Sequence, residues 1–140
     1  MRCWNSFLAV IIPAIFVISP STALGEEGTK KIEIVIKDGT AKVLTGYTFT
    51  GALTEIIVHN EDGVTHGFNS SLFDPKDKVE MSGGYLAQGK RPHVYRVDPG
   101  KTLVLKFTAP RLEGKKSFRF WCDMHRAVKG EILVMELNPS

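Results

Sequence analysis

The sequence predicts an all-β protein built as a sandwich of two sheets. Seven or so short apolar segments are separated by turn residues, and several of them alternate apolar and polar residues with a period of two. The chain has 140 residues, which is the usual size of one domain and enough for a hydrophobic core without disulfide bonds. Short strands at such intervals are typical of a β-sandwich.

The strand predictions rest on alternation and on β-branched or aromatic residues. Ile32, Ile34 and Ile36 fall on one face of the first strand, and Phe118 and Phe120 share a face with Cys122. The thiol is therefore expected to enter the site from the core side. The predicted strands cover residues 31–37, 41–50, 54–60, 94–97, 102–107, 117–122 and 131–137.

The connection from Asn69 to Arg91 shows the weakest pattern. Asp74 followed by Pro75 is typical of an N-cap and first helical residue, so we predict a short helix from Pro75 to about Met81. A connection of this length is usually functional or mobile. The sequence thus predicts one long loop that carries a short helix.

The N-terminus predicts export. Arg2 precedes an apolar run from Phe7 to Ile18, and small residues follow it up to Gly25. This is typical of a secretory signal peptide over residues 1–25, because a membrane anchor needs about 20 apolar residues. We expect one mature domain over residues 26–140, without a membrane span, in the periplasm or otherwise secreted. The formal charge of +3 is too small to indicate a nucleic-acid partner.

Cysteine usage narrows the chemistry. Cys3 would be removed with the signal peptide, which leaves Cys122 as the lone cysteine of an exported domain. No internal disulfide is then possible, so the thiol is buried, modified or bound to a metal. His125 lies three residues later and favours a metal.

Two histidines and this cysteine form a recognisable ligand set. Cys122 and His125 lie on the turn between the last two predicted strands, and His66 lies on a predicted loop far upstream. Two imidazoles and one thiolate are the ligands of a trigonal copper site. The hypothesis is one copper ion bound by His66, Cys122 and His125, whereas His59, inside a strand, is expected to be structural.

The sequence around these ligands resembles the cupredoxins, the family of plastocyanin and amicyanin. Cys122-x-x-His125, Gly130 five residues later and the closing strand resemble the copper loop, and Asn60 resembles the family's asparagine before the first histidine ligand. The resemblance covers roughly residues 32–137. It implies a Greek-key sandwich whose loops meet at one end, with Asn60 supporting the site through hydrogen bonds between the two loops.

The chain departs from the family at Val128, where short-loop members place a weak axial methionine. We expect no strong axial ligand and therefore a high reduction potential. Glu80, Met81 or His93 could approach the metal from the long connection, as could a backbone carbonyl beside His66. The simpler interpretation is that these three side chains are solvated or take part in packing.

The expected function is one-electron transfer with a redox partner protein, and not catalysis, because no acid–base pair accompanies the ligands. One alternative is a copper chaperone or storage protein that exchanges copper with a donor or acceptor. Another is an accessory copper domain of a respiratory or nitrogen-oxide enzyme system. A zinc site and a metal-free structural sandwich also stay open. A dinuclear copper site is disfavoured because it needs two cysteines in the metal loop.

Overall fold

The computed structural model describes residues 28–73, 78–90 and 93–137, and these residues form two stacked β-sheets. The predicted all-β sandwich is confirmed. No helix occurs among the described residues, and hence none that could cross a membrane. The strands are β1 (Lys30–Lys37), β2 (Thr40–Thr45), β3 (Tyr47–Phe49), β4 (Leu53–Asn60), β5 (His66–Ser70), β6 (Glu80–Ser82), β7 (Tyr85–Leu86), β8 (Tyr95–Val97), β9 (Thr102–Thr108), β10 (Lys115–Trp121) and β11 (Lys129–Met135).

The first sheet has five strands in the order β2-β1-β4-β9-β6. Its centre follows from the alternation of the sequence, because Ile32 and Ile34 of β1 pair in parallel with Ile56 and Val58 of β4. Leu105 of β9 then pairs with Ile56 from the other side. All five side chains are fully buried, so one apolar face of this sheet forms half of the core.

The second sheet has six strands in the order β3-β11-β10-β5-β8-β7. The pairing of β10 with β5 matters most for function, since it aligns Phe120 with Ser70 and Trp121 with Asn69. As predicted, Phe118, Phe120 and Cys122 are buried while the alternate residues of β10 face solvent. The chain therefore enters the turn at Cys122 with the thiol on the core side.

The core between the sheets is aliphatic and aromatic. Phe68 of β5 stacks on Phe120 of β10 with ring centroids 5.4 Å apart, and Phe73 packs edge-on against Phe107. Each fully buried side chain of this size contributes about 1.5–3 kcal/mol. The core also contains Cys122 and Val128. The end of the sandwich that carries the Cys-x-x-His turn is thus held by apolar packing.

Three sequence predictions of secondary structure need correction. The strand predicted over residues 41–50 is divided at Gly46 into β2 and β3, which belong to different sheets. His66 is the first residue of β5, not a loop residue. In the predicted helix, residues 74–77 lie outside the described part, and Glu80 and Met81 belong to β6, which pairs with β9. A helical end at Met81 is therefore wrong, because those residues complete a sheet edge.

Candidate metal centre

The structure brings the three predicted ligands together at one end of the sandwich. The donor atoms of His66, Cys122 and His125 all lie within 4.8 Å of one another. Sγ of Cys122 is 3.8 Å from Nδ1 of His66 and 3.6 Å from Nδ1 of His125. Across residues 28–73, 78–90 and 93–137, no other group of histidine, cysteine and acidic side chains forms such a cluster.

Each of the three side chains is positioned by a different element. His66 begins β5 and is 0% exposed, and Cys122 directly follows β10 and is 4% exposed. His125 lies in the turn and is half-buried. The turn is closed by hydrogen bonds from the Cys122 N–H to the Val128 carbonyl and from the Val128 N–H to the His125 carbonyl, 2.8 and 3.1 Å long. The cluster is therefore anchored inside and open to solvent only at His125.

The spacing fits one copper or zinc ion. With bond lengths of about 2.0 Å to nitrogen and 2.3 Å to sulfur, ligand angles between tetrahedral and trigonal separate the two donors by about 3.5–3.8 Å. The two sulfur–nitrogen distances fall in this range. Both imidazoles also present the same ring nitrogen, Nδ1, to the sulfur. A thiolate with two imidazoles is a donor set that suits copper, so the residues present fit a single copper ion.

The thiol is supported by a backbone donor. The Gly67 N–H donates a hydrogen bond of 3.2 Å to Sγ of Cys122. A donor aimed at sulfur stabilises the negative charge of a thiolate, which is the form that binds metal. Because Gly67 directly follows His66 in β5, one strand supplies both a ligand and the hydrogen bond to the second ligand.

His66 has a carboxylate partner on its far side. Nε2 of His66 lies 2.8 Å from Oδ2 of Asp62, and the same oxygen accepts the Gly39 N–H at 3.1 Å. Burial alone would raise the pKa of Asp62, but hydrogen bonds from His66 and from the Gly39 and Asp38 N–H groups outweigh it, so the pKa lies below its usual value. Asp62 is therefore ionised at neutral pH and accepts a proton-bearing Nε2.

Asn60 supports the His66 side of the site. Its amide group donates to the carbonyls of Val64 and Val97 at 2.8 and 3.0 Å, and its carbonyl oxygen accepts the Asp62 N–H at 3.0 Å. These bonds hold the turn between β4 and β5 and fasten it to β8. We had expected hydrogen bonds to the Cys122 turn, and the side chain instead fixes the segment that carries Asp62 and His66.

A second ion pair fastens the Cys122 turn. Arg96 of β8 donates two hydrogen bonds to Asp123, one of them 2.8 Å long, and Lys90 lies 3.8 Å from the same carboxylate. The hydrogen bond from Arg96 lowers the pKa of Asp123, and Asp123 in turn raises the pKa of Arg96. The pair crosses over Gly67, where a Cβ would overlap the Asp123 carboxylate. The glycine is needed for this close approach.

The proposed axial and additional ligands lie elsewhere or cannot donate. Val128 is buried in the same core cluster as Cys122 and offers no donor atom in its side chain. Glu80 and Met81 belong to β6, at the edge of the five-stranded sheet, where Met81 pairs with Leu105. His93 is exposed in the segment before β8. Neither Glu80 nor His93 belongs to the cluster, and the Met81 and Met124 side chains are exposed.

Sequence reasoning missed the residues that support the ligands. For Asp62 the usable signal is a carboxylate four residues before a candidate ligand. Arg96 and Asp123 gave no signal, because the register that pairs them is set by β5 and β8. His59 is structural as expected, with its ring nitrogens 3.0 Å from Glu33 and Thr102 side chains.

No protein-family model matches the chain, and no curated protein matches its sequence. Solved structures do match. A variant of the McoA multicopper oxidase from Aquifex aeolicus is 14% identical over 84% of this chain and 32% of its own, with a TM-score of 0.53. The multicopper oxidase from Campylobacter jejuni is 14% identical over 81% and 31% of the two chains, with a TM-score of 0.49.

Auracyanin A, a blue copper protein from Chloroflexus aurantiacus, is 15% identical over 76% of this chain and 99% of its own, with a TM-score of 0.48. The chain spans about a third of the length of either oxidase. At these identities the likeness concerns the fold alone. Together with the two-sheet topology, it makes this domain a cupredoxin-like Greek-key sandwich.

Proposed function

We propose that this chain is an exported mononuclear copper protein that transfers single electrons. The observation that carries the proposal is the cluster of His66, Cys122 and His125, whose donor atoms lie within 4.8 Å of one another at the end of a rigid sandwich. One thiolate and two imidazoles would hold the ion. Copper in such a site would supply one-electron chemistry between Cu(II) and Cu(I).

The protein residues favour electron transfer over substrate turnover. His66 and Cys122 are buried on two neighbouring strands of one sheet, so the donors keep their positions when the charge of the site changes. The half-buried ring of His125 gives the site its contact with the surface, where a redox partner protein would dock. Outside the three ligands, Asp62 is the titratable side chain that hydrogen-bonds to a ligand side chain in the described part of the structure, and its Oδ2 is bonded to His66.

Cys122, His66 and Asp62 also form a thiol–imidazole–carboxylate chain, which is the arrangement of an activated nucleophile. A hydrolase would need space for a substrate at the sulfur. Sγ belongs to a residue that is 4% exposed, and the larger surface cavities in the described part are lined by other residues. The second imidazole, at 3.6 Å from sulfur, has a role in a metal site and none in such a triad.

Copper carriage is the second candidate, because His125 is the one ligand that reaches solvent and the neighbouring Met124 side chain is exposed. A carrier would release Cu(I) to a soft-ligand acceptor within minutes, whereas an electron carrier keeps its copper through repeated oxidation and reduction. An accessory copper domain of a larger enzyme system is a further candidate, supported by the likeness to a third of a multicopper oxidase chain. It would show stable association with an enzyme subunit.

The decisive experiment is a Cu(II) titration of the mature domain followed by visible and EPR spectra. We expect one equivalent of copper and an intense visible band, because thiolate donation to Cu(II) absorbs strongly. Cys122→Ser should abolish the band, and His66→Ala should weaken binding with the sandwich still folded. His59→Ala is the matched control, since that histidine contacts Glu33 and Thr102. A colourless complex would indicate zinc, and an unchanged His66→Ala protein would show that the upstream ligand is wrong.

A further inference from the structure

The contact between Asp62 and His66 fixes the proton of the imidazole. An ionised carboxylate can only accept hydrogen bonds, so the 2.8 Å contact requires the proton on Nε2. In the neutral ring Nδ1 then carries the lone pair, and it faces Sγ of Cys122 at 3.8 Å. Because the ring is fully buried, no water competes for either nitrogen. The metal-free protein therefore already holds His66 in the tautomer that binds metal.

Asp62 is held in place by three neighbours, His66 and Gly39 at its carboxylate and Asn60 at its backbone N–H. Its Oδ2 accepts the Gly39 N–H in the turn between β1 and β2, and the Asp62 N–H donates to Oδ1 of Asn60. The side chain is 13% exposed, so its charge is only weakly screened by solvent. A turn of the first sheet and a ligand in the second sheet are thus joined through one oxygen atom.

We propose that Asp62 is a positioning residue that presets the tautomer and orientation of His66 and stabilises Cu(II) more than Cu(I). A carboxylate bonded to the far nitrogen increases the electron donation of an imidazole ligand. Its negative charge also stabilises the more positive oxidation state. The reduction potential is therefore lower than the same three ligands would give without Asp62. This inference rests on the proposed copper site.

Two substitutions separate the two parts of the proposal. Asp62→Asn keeps a hydrogen-bond acceptor of the same shape and removes the charge. Asp62→Ala removes the acceptor as well. Asp98→Asn is the matched control, because Asp98 accepts the Thr65 hydroxyl at 2.7 Å, one residue before His66, and it contacts no ligand. Thermal unfolding of each metal-free variant establishes that the sandwich is folded.

The first measurement needs no copper. ¹⁵N NMR of histidine-labelled metal-free protein should show His66 as a single Nε2–H tautomer in the wild type and in Asp98→Asn, and as a mixture in Asp62→Ala. The second measurement is the reduction potential of the copper form. It should rise in Asp62→Asn and stay unchanged in Asp98→Asn. Asp62→Ala should bind Cu(II) about tenfold or more weakly, with a smaller loss for Cu(I).

A single tautomer in Asp62→Ala, or a potential in Asp62→Asn equal to that of Asp98→Asn, would overturn the inference. A protein that does not bind copper would give a different set of results. In that case the wild type shows no copper-dependent visible band, while the tautomer experiment still reports on Asp62 and His66.

Discussion

Gly67 and Cys122 are 55 residues apart in the chain and are joined by a hydrogen bond of 3.2 Å from the glycine N–H to the cysteine sulfur. The contact is possible because β5 runs beside β10 up to the first residue of the turn. On its other side Gly67 lies against the Arg96–Asp123 ion pair. One residue without a side chain thus lies between the thiol and the ion pair that fastens the metal loop.

Gly67→Ala should destabilise the metal-free protein by about 1–3 kcal/mol, the usual cost of overpacking. Its Cβ would overlap the Asp123 carboxylate, lie 2.5 Å from Nη1 of Arg96 and lie 3.0 Å from Val94. Gly63→Ala is the control, because its Cβ would meet no atom within 4 Å. Urea unfolding measures both. Equal stability of the two variants would show that the turn moves aside without cost.

The Arg96–Asp123 pair should contribute about 2 kcal/mol to the free energy of unfolding, as charge-assisted hydrogen bonds between mostly buried groups do. Its side chains are 11% and 18% exposed. A double-mutant cycle with Arg96→Gln and Asp123→Asn measures the coupling. The exposed Lys37–Glu61 pair is the comparison, and we expect no more than about 0.5 kcal/mol there. Similar coupling in both pairs would contradict the prediction.

The same pair predicts a pH dependence with a defined sign. Arg96 lowers the pKa of Asp123 below its usual value of 3.8, so the unfolded state takes up a proton first as the pH falls. The contribution of Asp123 to the free energy of unfolding is complete above its usual pKa. It is lost as the pH falls through the lower pKa of the folded state. The stability difference between wild type and Asp123→Asn, measured without metal, should therefore be constant from pH 5 to 7 and shrink on acidification below about pH 4. A difference that grows on acidification would refute the assignment.

Val128→Met should lower the reduction potential of the copper form. Valine offers no donor, and a thioether at this position supplies a weak axial contact that favours Cu(II). Val128→Leu is the matched control, because it enlarges the same buried side chain without adding a donor. Protein-film voltammetry compares the three proteins. Equal shifts in both variants would mean that packing at Val128, and not axial donation, sets the potential.

Residues 1–25 should be absent from the mature protein, which we expect to begin near Glu26. The motif is an apolar run from Phe7 to Ile18 followed by small residues. Intact mass and N-terminal sequencing of exported protein provide the test. A retained N-terminus in the membrane fraction would contradict it.

The sequence predicted those strands in which every residue of one face is apolar. Ile32, Ile34 and Ile36 alternate without exception, and they are buried as expected. β5 was not predicted, because all five of its residues are buried and four of them are small or polar, which removes the alternation. β6 and β7 are short edge strands of two or three residues, too short for a periodic signal.

The candidate ligands were predictable because the residue types themselves indicate a metal site, without knowledge of the fold. A lone thiol with two imidazoles indicates copper whatever the fold. The supporting groups were not predictable in the same way. Asp62, Gly67 and Arg96 act through a shared oxygen, a backbone N–H and a cross-strand register, and such relations exist only after the sheets have formed.

The separation of His66 and Cys122 along the chain determines when the complete metal site can form. The two ligands are 56 residues apart, so bringing them together costs about 3–4 kcal/mol of chain entropy, which apolar packing of β5 against β10 must first offset. Of the three donors, an unfolded chain offers copper only the local pair of Cys122 and His125. The third donor, His66, joins them when β5 pairs with β10. The complete set of three donors therefore exists only in the folded chain, and an ion that binds this set stabilises the folded state.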